Sequence, residues 1–225
     1  MMWLVLIGLA LTFAVMLLFG GMEFDRGLLL LVYAGDHPGA ADAARWLTVA
    51  GSHEALLAVT ALGAAWLVAR REWRPALFLL GVPLSGRLLV SLLKDWTARV
   101  RPDAQGHLVP VESLAFPSGH AANSTMVLLC LALLVPTSER ARMWAVWAAV
   151  WLALAIGGTR PMLGVHWPSD VIGGWAFGLF WTLLLLHLSG LRVNEGTPPP
   201  LAHSLADEGG QNDPGQQASG IGPRP

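Results

Sequence analysis

Residues 116–135 read FPSGHAANSTMVLLCLALLV, and this stretch indicates both the class of the fold and the chemistry it carries. From Ala121 to Val135 every side chain except those of Asn123, Ser124 and Thr125 is apolar, which is typical of a helix that crosses a bilayer. In the preceding tetrad Ser118 can cap that helix, Gly119 lets an anion approach the free N–H groups of the first turn, and His120 can donate a proton at the rim. The stretch predicts a membrane helix with an anion site at its N-terminus. Taken alone, the tetrad fits an ordinary cap beside a surface histidine about equally well.

The composition extends this reading to the whole chain. Apolar residues make up 54% and charged residues 13% of the 225 residues, which excludes an ordinary soluble domain. Leu28–Ala34 is too short to span and reads as a re-entrant or interfacial piece. We therefore expect an all-α fold, a bundle of six transmembrane helices. Six apolar runs approach or reach a membrane-spanning length, some by borrowing neighbouring polar residues: Trp3–Gly20, Ala55–Ala69, Pro75–Leu93, Ala121–Val135, Trp144–Gly157 and Val171–Leu188.

The runs divide the chain into one membrane domain and a tail. Residues 1–195 form the predicted domain, and its first run reads as an uncleaved helix because nothing basic precedes it. Residues 196–225 are rich in proline, glycine, glutamine and serine, so we predict a disordered cytoplasmic tail. Ala41–Ala50 fits an amphipathic interfacial helix or a surface loop. Gly174 and Gly178 form a small-xxx-small pair that would let another helix approach closely.

Arginine placement predicts the orientation. Short arginine-rich loops stay in the cytoplasm, and alternation then puts Gly21–Glu54, Lys94–Pro117 and Gly158–Asp170 outside. We expect an integral protein of a bacterial inner membrane whose active site faces outward, to the periplasm. The arginines that carry this argument follow the second, fourth and sixth runs: Arg70, Arg71, Arg74, Arg140, Arg142 and Arg192.

Two cations lie in the second outer segment. Lys94 is the only lysine of the chain, and Arg101 follows it by seven residues. If the third helix continues past Leu93, both side chains share one face, and Pro102 then ends that extension. The two cations can hold a phosphoryl group with a point charge and a planar fork. Two snorkelling cations at a helix end are the alternative.

The third outer segment contains the pair of residues that points most specifically to a reaction. His166 can attack phosphorus through one ring nitrogen while Asp170, four residues on, accepts from the other nitrogen. Pro168 suits the first turn of the last helix, and Arg160 adds a third cation. A capping aspartate beside an interfacial histidine is the alternative.

Together these residues resemble the type 2 phosphatidic acid phosphatase (PAP2) family, whose active site is similar to that of the vanadium haloperoxidases. The family signatures Lys-x6-Arg-Pro, Pro-Ser-Gly-His and Ser-Arg-x5-His-x3-Asp match in order and spacing. The one departure is Thr159 where serine is usual, which keeps the hydroxyl. The resemblance covers roughly residues 40–190. The matching stretches here are Lys94…Arg101-Pro102, Pro117-Ser118-Gly119-His120 and Thr159-Arg160…His166…Asp170.

The resemblance implies a membrane phosphatase that works through a phosphohistidine. His166 would be the nucleophile, Asp170 its orienting partner and His120 the acid for the leaving group. It implies no metal and no cofactor, and a set of His107, Glu112 and His120 matches no recognised metal site. The expected partners are a phosphorylated lipid substrate and membrane lipids, with no nucleic acid and an open oligomeric state. The implied phosphate-binding residues are Lys94, Arg101, Ser118, Gly119 and Arg160.

Several questions stay open at this point. The substrate could be a prenyl diphosphate such as undecaprenyl diphosphate, phosphatidic acid or phosphatidylglycerol phosphate. The same machinery could serve a lipid phosphotransferase. A lipid transporter is disfavoured because the charges gather at one face and no repeat is visible. Arg87 lies within the third helix, where we expect a structural ion pair with Glu54 in preference to contact with a second substrate phosphate.

Overall fold

The computed structural model describes residues 1–103 and 106–191, and every regular element in these residues is an α-helix. The predicted tail and Arg192 lie outside the described residues. The all-α prediction is confirmed for the described part. The helices are α1 (Met2–Phe19), α2 (Glu23–Val32), α3 (Pro38–Val49), α4 (His53–Ala69), α5 (Trp73–Thr97), α6 (Gly119–Leu134), α7 (Glu139–Met162) and α8 (Pro168–Ser189).

Each of the six apolar runs lies within, or nearly within, one helix, but the number of spans is not settled at six. Within the described residues, α1, α5, α7 and α8 are each long and apolar enough to cross a bilayer. Helices α3 and α4 meet at 41° and would together make a fifth span, while α6 is apolar but only 16 residues long. Six spans therefore remain a prediction. Helices α2 and α3 account for most of Leu28–Ala34 and Ala41–Ala50, so the second of these segments is a helix and not a loop.

Helix α6 is at the centre of the bundle and packs against α5, α7 and α8, while α1 packs on α8 and α3 on α7. The close approach of α6 and α8 depends on two glycines. A Cβ atom at Gly174 would lie 2.7 Å from the Ser118 carbonyl oxygen, and one at Gly178 would lie 2.6 Å from that of Ala122. No side chain fits there, so the small-xxx-small interpretation is confirmed.

The outer surface of the bundle is apolar. In α1 only Leu6 is buried, and Trp144, Trp147 and Trp151 are exposed along α7. Helices that are apolar all round while covered on one side only are stable in lipid, not in water. The surface therefore supports an integral membrane protein.

The two ends of the bundle carry different segments of the chain. The α4–α5 turn lies beside the end of α8, where Arg71, Glu72, Trp73 and Arg74 line a cavity of about 540 Å³ with Gly190 and Leu191. The opposite end of α8 begins just after His166. The arginine-rich turn and the predicted catalytic segments thus lie at opposite ends of the molecule, as the loop charges predict.

Candidate active site

The N-terminus of α8 positions the histidine–aspartate pair. Pro168 occupies the first turn, and the Asp170 carboxylate accepts from the backbone N–H of Trp167 at 2.9 Å. The other contact of that carboxylate oxygen is with His166 Nδ1, at 3.3 Å. Both side chains are buried. Because a carboxylate can only accept, Nδ1 carries the proton and Nε2 keeps a lone pair, which is the tautomer a nucleophile needs.

The second oxygen of Asp170 is bonded to Arg99, a residue that the sequence interpretation missed. Arg99 donates through Nη1 at 2.9 Å, and its guanidinium lies 4.2 Å from the centre of the Phe116 ring. It also donates to the carbonyls of Met16 and Leu17 in α1. Arg99 therefore neutralises the buried carboxylate and ties α1 to the site. Its sequence signal was weak, because Arg99 occupies one of the six unspecified positions between Lys94 and Arg101 of the matching motif.

Asp25 is the second residue that the sequence did not reveal. Its side chain is 4% exposed and accepts from the Ser169 backbone N–H at 3.0 Å and from the Ser169 hydroxyl at 2.6 Å. It also accepts from the Gly21 N–H at 2.9 Å. These bonds hold α2 against the first turn of α8, and so hold the segment that carries His166.

Lys94 and Arg101 lie at the site, but they do not share a helix face. Helix α5 ends at Thr97, since Ala98 adopts a left-handed conformation with φ 47° and its N–H bonds back to the Lys94 carbonyl at 2.9 Å. Pro102 is thus not the residue that ends the helix, and the predicted extension to it is wrong. Arg101 instead lies in the following loop.

Backbone carbonyls hold the two cations. Lys94 Nζ donates to the carbonyls of Leu114 and Ala115. Arg101 donates through Nε to the Ser113 carbonyl at 2.6 Å and through Nη1 to the Val165 carbonyl, beside His166. The loop of residues 113–115 therefore places both positive charges next to the segment that carries His166.

Ser118 and Arg160 each keep a buried polar atom without a partner among the described residues. Ser118 is the N-cap residue of α6, as predicted, but its hydroxyl makes no cap bond and has no hydrogen-bond partner there. Arg160 donates through Nη1 to the Thr48 hydroxyl at 2.7 Å, while its Nε is unpaired. Buried donors normally find an acceptor, so the two atoms fit the oxygens of a bound phosphate.

His120 lies at the first turn of α6 against the turn that joins α3 to α4. A Cβ atom on Gly51 would come within 2.9 Å of its ring, and Thr48 places a backbone hydrogen-bonding group beside it. Thr48 therefore contacts both His120 and Arg160.

The Thr159 hydroxyl is not bonded to these site residues. It donates to the Ile156 carbonyl of its own helix at 2.6 Å.

The electrostatics show that these groups form one cluster. Burial lowers the pKa of His166 well below its usual value, and the charges of Arg101, Lys94, Arg160 and His120 lower it further. Burial also lowers the pKa of Arg101, which Asp170 partly offsets. A neutral His166 amid three cations has the surroundings expected of a nucleophile beside an anion site.

Two further expectations concern groups outside this cluster. Arg87 contacts Nδ1 of His53, and among the described residues no ion pair within 4.0 Å joins it to Glu54. The predicted direct pair with Glu54 is therefore wrong, although the two charges still interact at a longer distance. The reason is geometric, since α4 presents His53 to α5 at that level. In the same residues no three His, Cys, Asp or Glu side chains converge as metal ligands.

Comparison with known proteins gives consistent results. The PAP2 superfamily profile matches residues 75–193. The chain is 36% identical to phosphatidylglycerophosphatase B of Bacillus subtilis over 132 residues, 56% of this chain and 64% of that protein. It is 39% identical to a lipid A 1-phosphatase of Rhizobium johnstonii over 50% of this chain and 47% of that protein. The chain thus spans about half to two thirds of the length of these relatives.

A solved structure shares the fold. The crystal structure of a transmembrane PAP2-type phosphatidylglycerolphosphate phosphatase from Bacillus subtilis superimposes with a TM-score of 0.75 at 28% identity, covering 82% of this chain and 96% of that one. A decaprenylphosphoryl-5-phosphoribose phosphatase of Mycobacterium tuberculosis is 34% identical over 64% of this chain and 77% of that protein.

Proposed function

Since the chain belongs to the PAP2 superfamily, we propose that it is a membrane lipid phosphatase that hydrolyses a phosphomonoester or diphosphate headgroup through a phosphohistidine. The observation that carries this proposal is the buried His166–Asp170 contact with Arg101, Lys94 and Arg160 around it. Relatives named as lipid phosphatases support the substrate class.

The first chemical step forms a bond between His166 Nε2 and phosphorus as the bond from phosphorus to the leaving oxygen breaks. Asp170 keeps the proton on Nδ1, so Nε2 presents its lone pair. His120 gives a proton to the leaving oxygen, which departs as an alcohol or a shorter phosphate.

The second step releases the enzyme. Water attacks the phosphohistidine, His120 takes the proton from that water, and inorganic phosphate leaves with His166 neutral again. Lys94, Arg101, Arg160, the Ser118 hydroxyl and the first N–H groups of α6 bind the non-bridging oxygens in both steps. Such preorganised donors stabilise the transition-state charge.

The direct test is phosphate release by the purified full-length protein from a panel of lipids. Phosphatidic acid, phosphatidylglycerol phosphate and undecaprenyl diphosphate cover the class, and a lipid alcohol added as acceptor would reveal phosphotransfer. We expect phosphate release and an acid-labile, base-stable phosphoenzyme in a rapid quench with radiolabelled substrate. If the wild type turns over fully but yields no labelled protein, the covalent mechanism is contradicted.

A second test concerns metals. We expect activity to persist in excess EDTA and to be inhibited by vanadate, because vanadate mimics five-coordinate phosphorus in the proposed cradle. Activity that disappears in EDTA and returns with Mg²⁺ or Zn²⁺ would point to a metal-dependent phosphatase.

A further inference from the structure

Arg87 lies on the lipid side of the bundle, below the proposed phosphate site. It is near the middle of α5 and seven residues before Lys94, so it lies on the same helix face about 10 Å deeper. Its side chain is exposed. A cation exposed at that depth is costly and is functional by default unless a carboxylate pairs with it.

The protein supplies only part of what this cation needs. The partner of Arg87 among the described residues is Nδ1 of His53, a group that carries no negative charge. Glu54, the next residue, interacts with Arg87 through its charge but makes no ion pair with it within 4.0 Å among the described residues. His53 therefore holds the guanidinium directly, and Glu54 balances its charge only from a longer distance.

The surroundings connect Arg87 to the reacting centre. His53 is two residues after Gly51, which packs against the ring of His120. On the other side, Gly86 packs against Met126, six residues into α6 from His120, which places Arg87 about 9 Å below His120 along the bundle. The turn before α4 thus lies beside His120, and the first turn of α4 contacts Arg87, which lies inward of His120 on α5. Inward is also the direction in which the chains of a bound lipid must run.

We propose that Arg87, positioned by His53, binds a phosphodiester of the substrate that lies one polyol or sugar closer to the lipid chains than the phosphate that is cleaved. This inference rests on the proposed function and narrows its substrate class. The two phosphates of a diphosphate share one bridging oxygen, so both would fit within the cradle of Lys94, Arg101 and Arg160 and would not reach Arg87. In a lipid whose phosphomonoester and phosphodiester are separated by glycerol or a pentose, the two phosphates span more of the distance between the cradle and Arg87. The long arginine side chain extends over the rest of that distance.

The test compares three lipids with matched solubility: phosphatidylglycerol phosphate, phosphatidic acid and a prenyl diphosphate. Full-length wild type, Arg87→Gln, Arg87→Met and the control Arg74→Gln are assayed in the same detergent. Only phosphatidylglycerol phosphate carries the additional phosphodiester. We expect kcat/KM for it to fall about tenfold or more in both Arg87 variants, mainly through KM, because a charge-assisted contact is lost. Activity on the other two lipids should stay within about twofold.

Each other outcome counts against the proposal. An equal loss on all three lipids would make Arg87 a structural residue, and no loss on any would leave it without a role in binding. A greater loss on the diphosphate, or a wild type that cleaves the other lipids but not phosphatidylglycerol phosphate, would overturn the substrate class. A wild type that cleaves none of the three would instead contradict the proposed function itself. The Arg87→Met variant is included because methionine is tolerated at a lipid-facing position. Retained cleavage of phosphatidic acid shows that either variant has folded.

Discussion

Asp170 meets two requirements that His166 has as the proposed nucleophile. Its ring must be neutral with a lone pair on Nε2, and it must not rotate. The Asp170 carboxylate fixes the ring from one side, while Arg99 and the Trp167 N–H hold the carboxylate in turn. Since that carboxylate is fully buried, its charge would be costly without Arg99.

Substitution of the two residues should separate attack from orientation. We expect His166→Gln, which keeps the volume of a buried side chain, to reduce kcat at least about a thousandfold, because the attacking atom is gone. Asp170→Asn should cost less in kcat, since it disturbs the tautomer and leaves the nucleophile in place. Single-turnover phosphate release on folded protein measures both. Near-normal release by His166→Gln would exclude it as the nucleophile.

The burial of His166 predicts a pH dependence. Its folded pKa lies below the ordinary value of about 6.5, so the reactive neutral form persists as the pH falls through that value. We therefore expect the acid limb of kcat/KM that reports this histidine to lie below pH 6.5. The unfolded chain takes up the proton near pH 6.5 and the folded chain does not, so stability should fall below that pH. A pH–rate profile with a separate stability curve distinguishes the two effects. An acid limb above pH 7 would contradict a neutral, buried nucleophile.

Arg99 should matter for stability as well as for turnover. Arg99→Gln leaves the buried Asp170 carboxylate without its cation and is expected to cost about 3 kcal/mol in unfolding free energy. Arg70→Gln is the matched control, because Arg70 pairs with Glu72 at 2.9 Å while 45% exposed, and such pairs contribute less than about 1 kcal/mol. Unfolding of both variants in mixed micelles gives the comparison. Equal losses would mean that Arg99 does not support the carboxylate in the way proposed.

At the scale of elements, the site depends on how closely α6 and α8 approach. The Ser118 N–H donates to the Asp170 carbonyl at 2.9 Å, so the first turns of the two helices are bonded directly. This bond requires the glycines of α8 that lie against the α6 backbone. The proposed anion site and the proposed nucleophile are therefore held together by main-chain atoms.

A methyl group at this contact should separate the helices. Gly174→Ala places Cβ 2.7 Å from the Ser118 carbonyl and 2.9 Å from Ala121 Cβ, and we expect a loss of about 1–3 kcal/mol with lower activity. Gly81→Ala is the control, since a Cβ in α5 at that position meets nothing within 4 Å and should be neutral or slightly stabilising. Thermal unfolding in detergent and phosphate release are measured together. If both alanines behave alike, close α6–α8 packing does not hold the site.

At the scale of the whole molecule, cationic connections and the candidate site lie at opposite ends. The loops that would face the cytoplasm carry arginines, and the cations at the other end are held against backbone carbonyls around His166. The positive-inside rule therefore favours a site open to the periplasm.

Cysteine labelling in intact cells tests this orientation. A membrane-impermeant thiol reagent should label Asp103→Cys, in the loop after α5, and should not label Glu139→Cys at the start of α7 until the cells are opened. Both positions are exposed, and the native Cys130 is buried, so background labelling should be small. The reverse pattern would place the site in the cytoplasm and remove its access to outer-leaflet lipids.

The sequence by itself determined the elements and much of the candidate site. Apolar runs can be identified from the sequence alone, because a segment that crosses a bilayer must be a continuous apolar helix. Every predicted run accordingly lies largely within a helix. The local pairs were also accessible, since His166 and Asp170 are one helical turn apart and Gly174 and Gly178 lie on one face. The family signatures indicated the remaining cations, which the structure places around His166.

Only the tertiary structure decided which distant groups meet. Arg99 and Asp25 reach the first turn of α8 from 71 and 144 residues away in sequence, and no periodic pattern marks a contact of that separation. The end of α5 was misplaced because Ala98 takes a left-handed conformation that its residue type does not announce. Arg87 was assigned to Glu54 in place of His53, because a shift of one residue on a helix turns a side chain by about 100° and only the packing of α4 on α5 fixes that rotation.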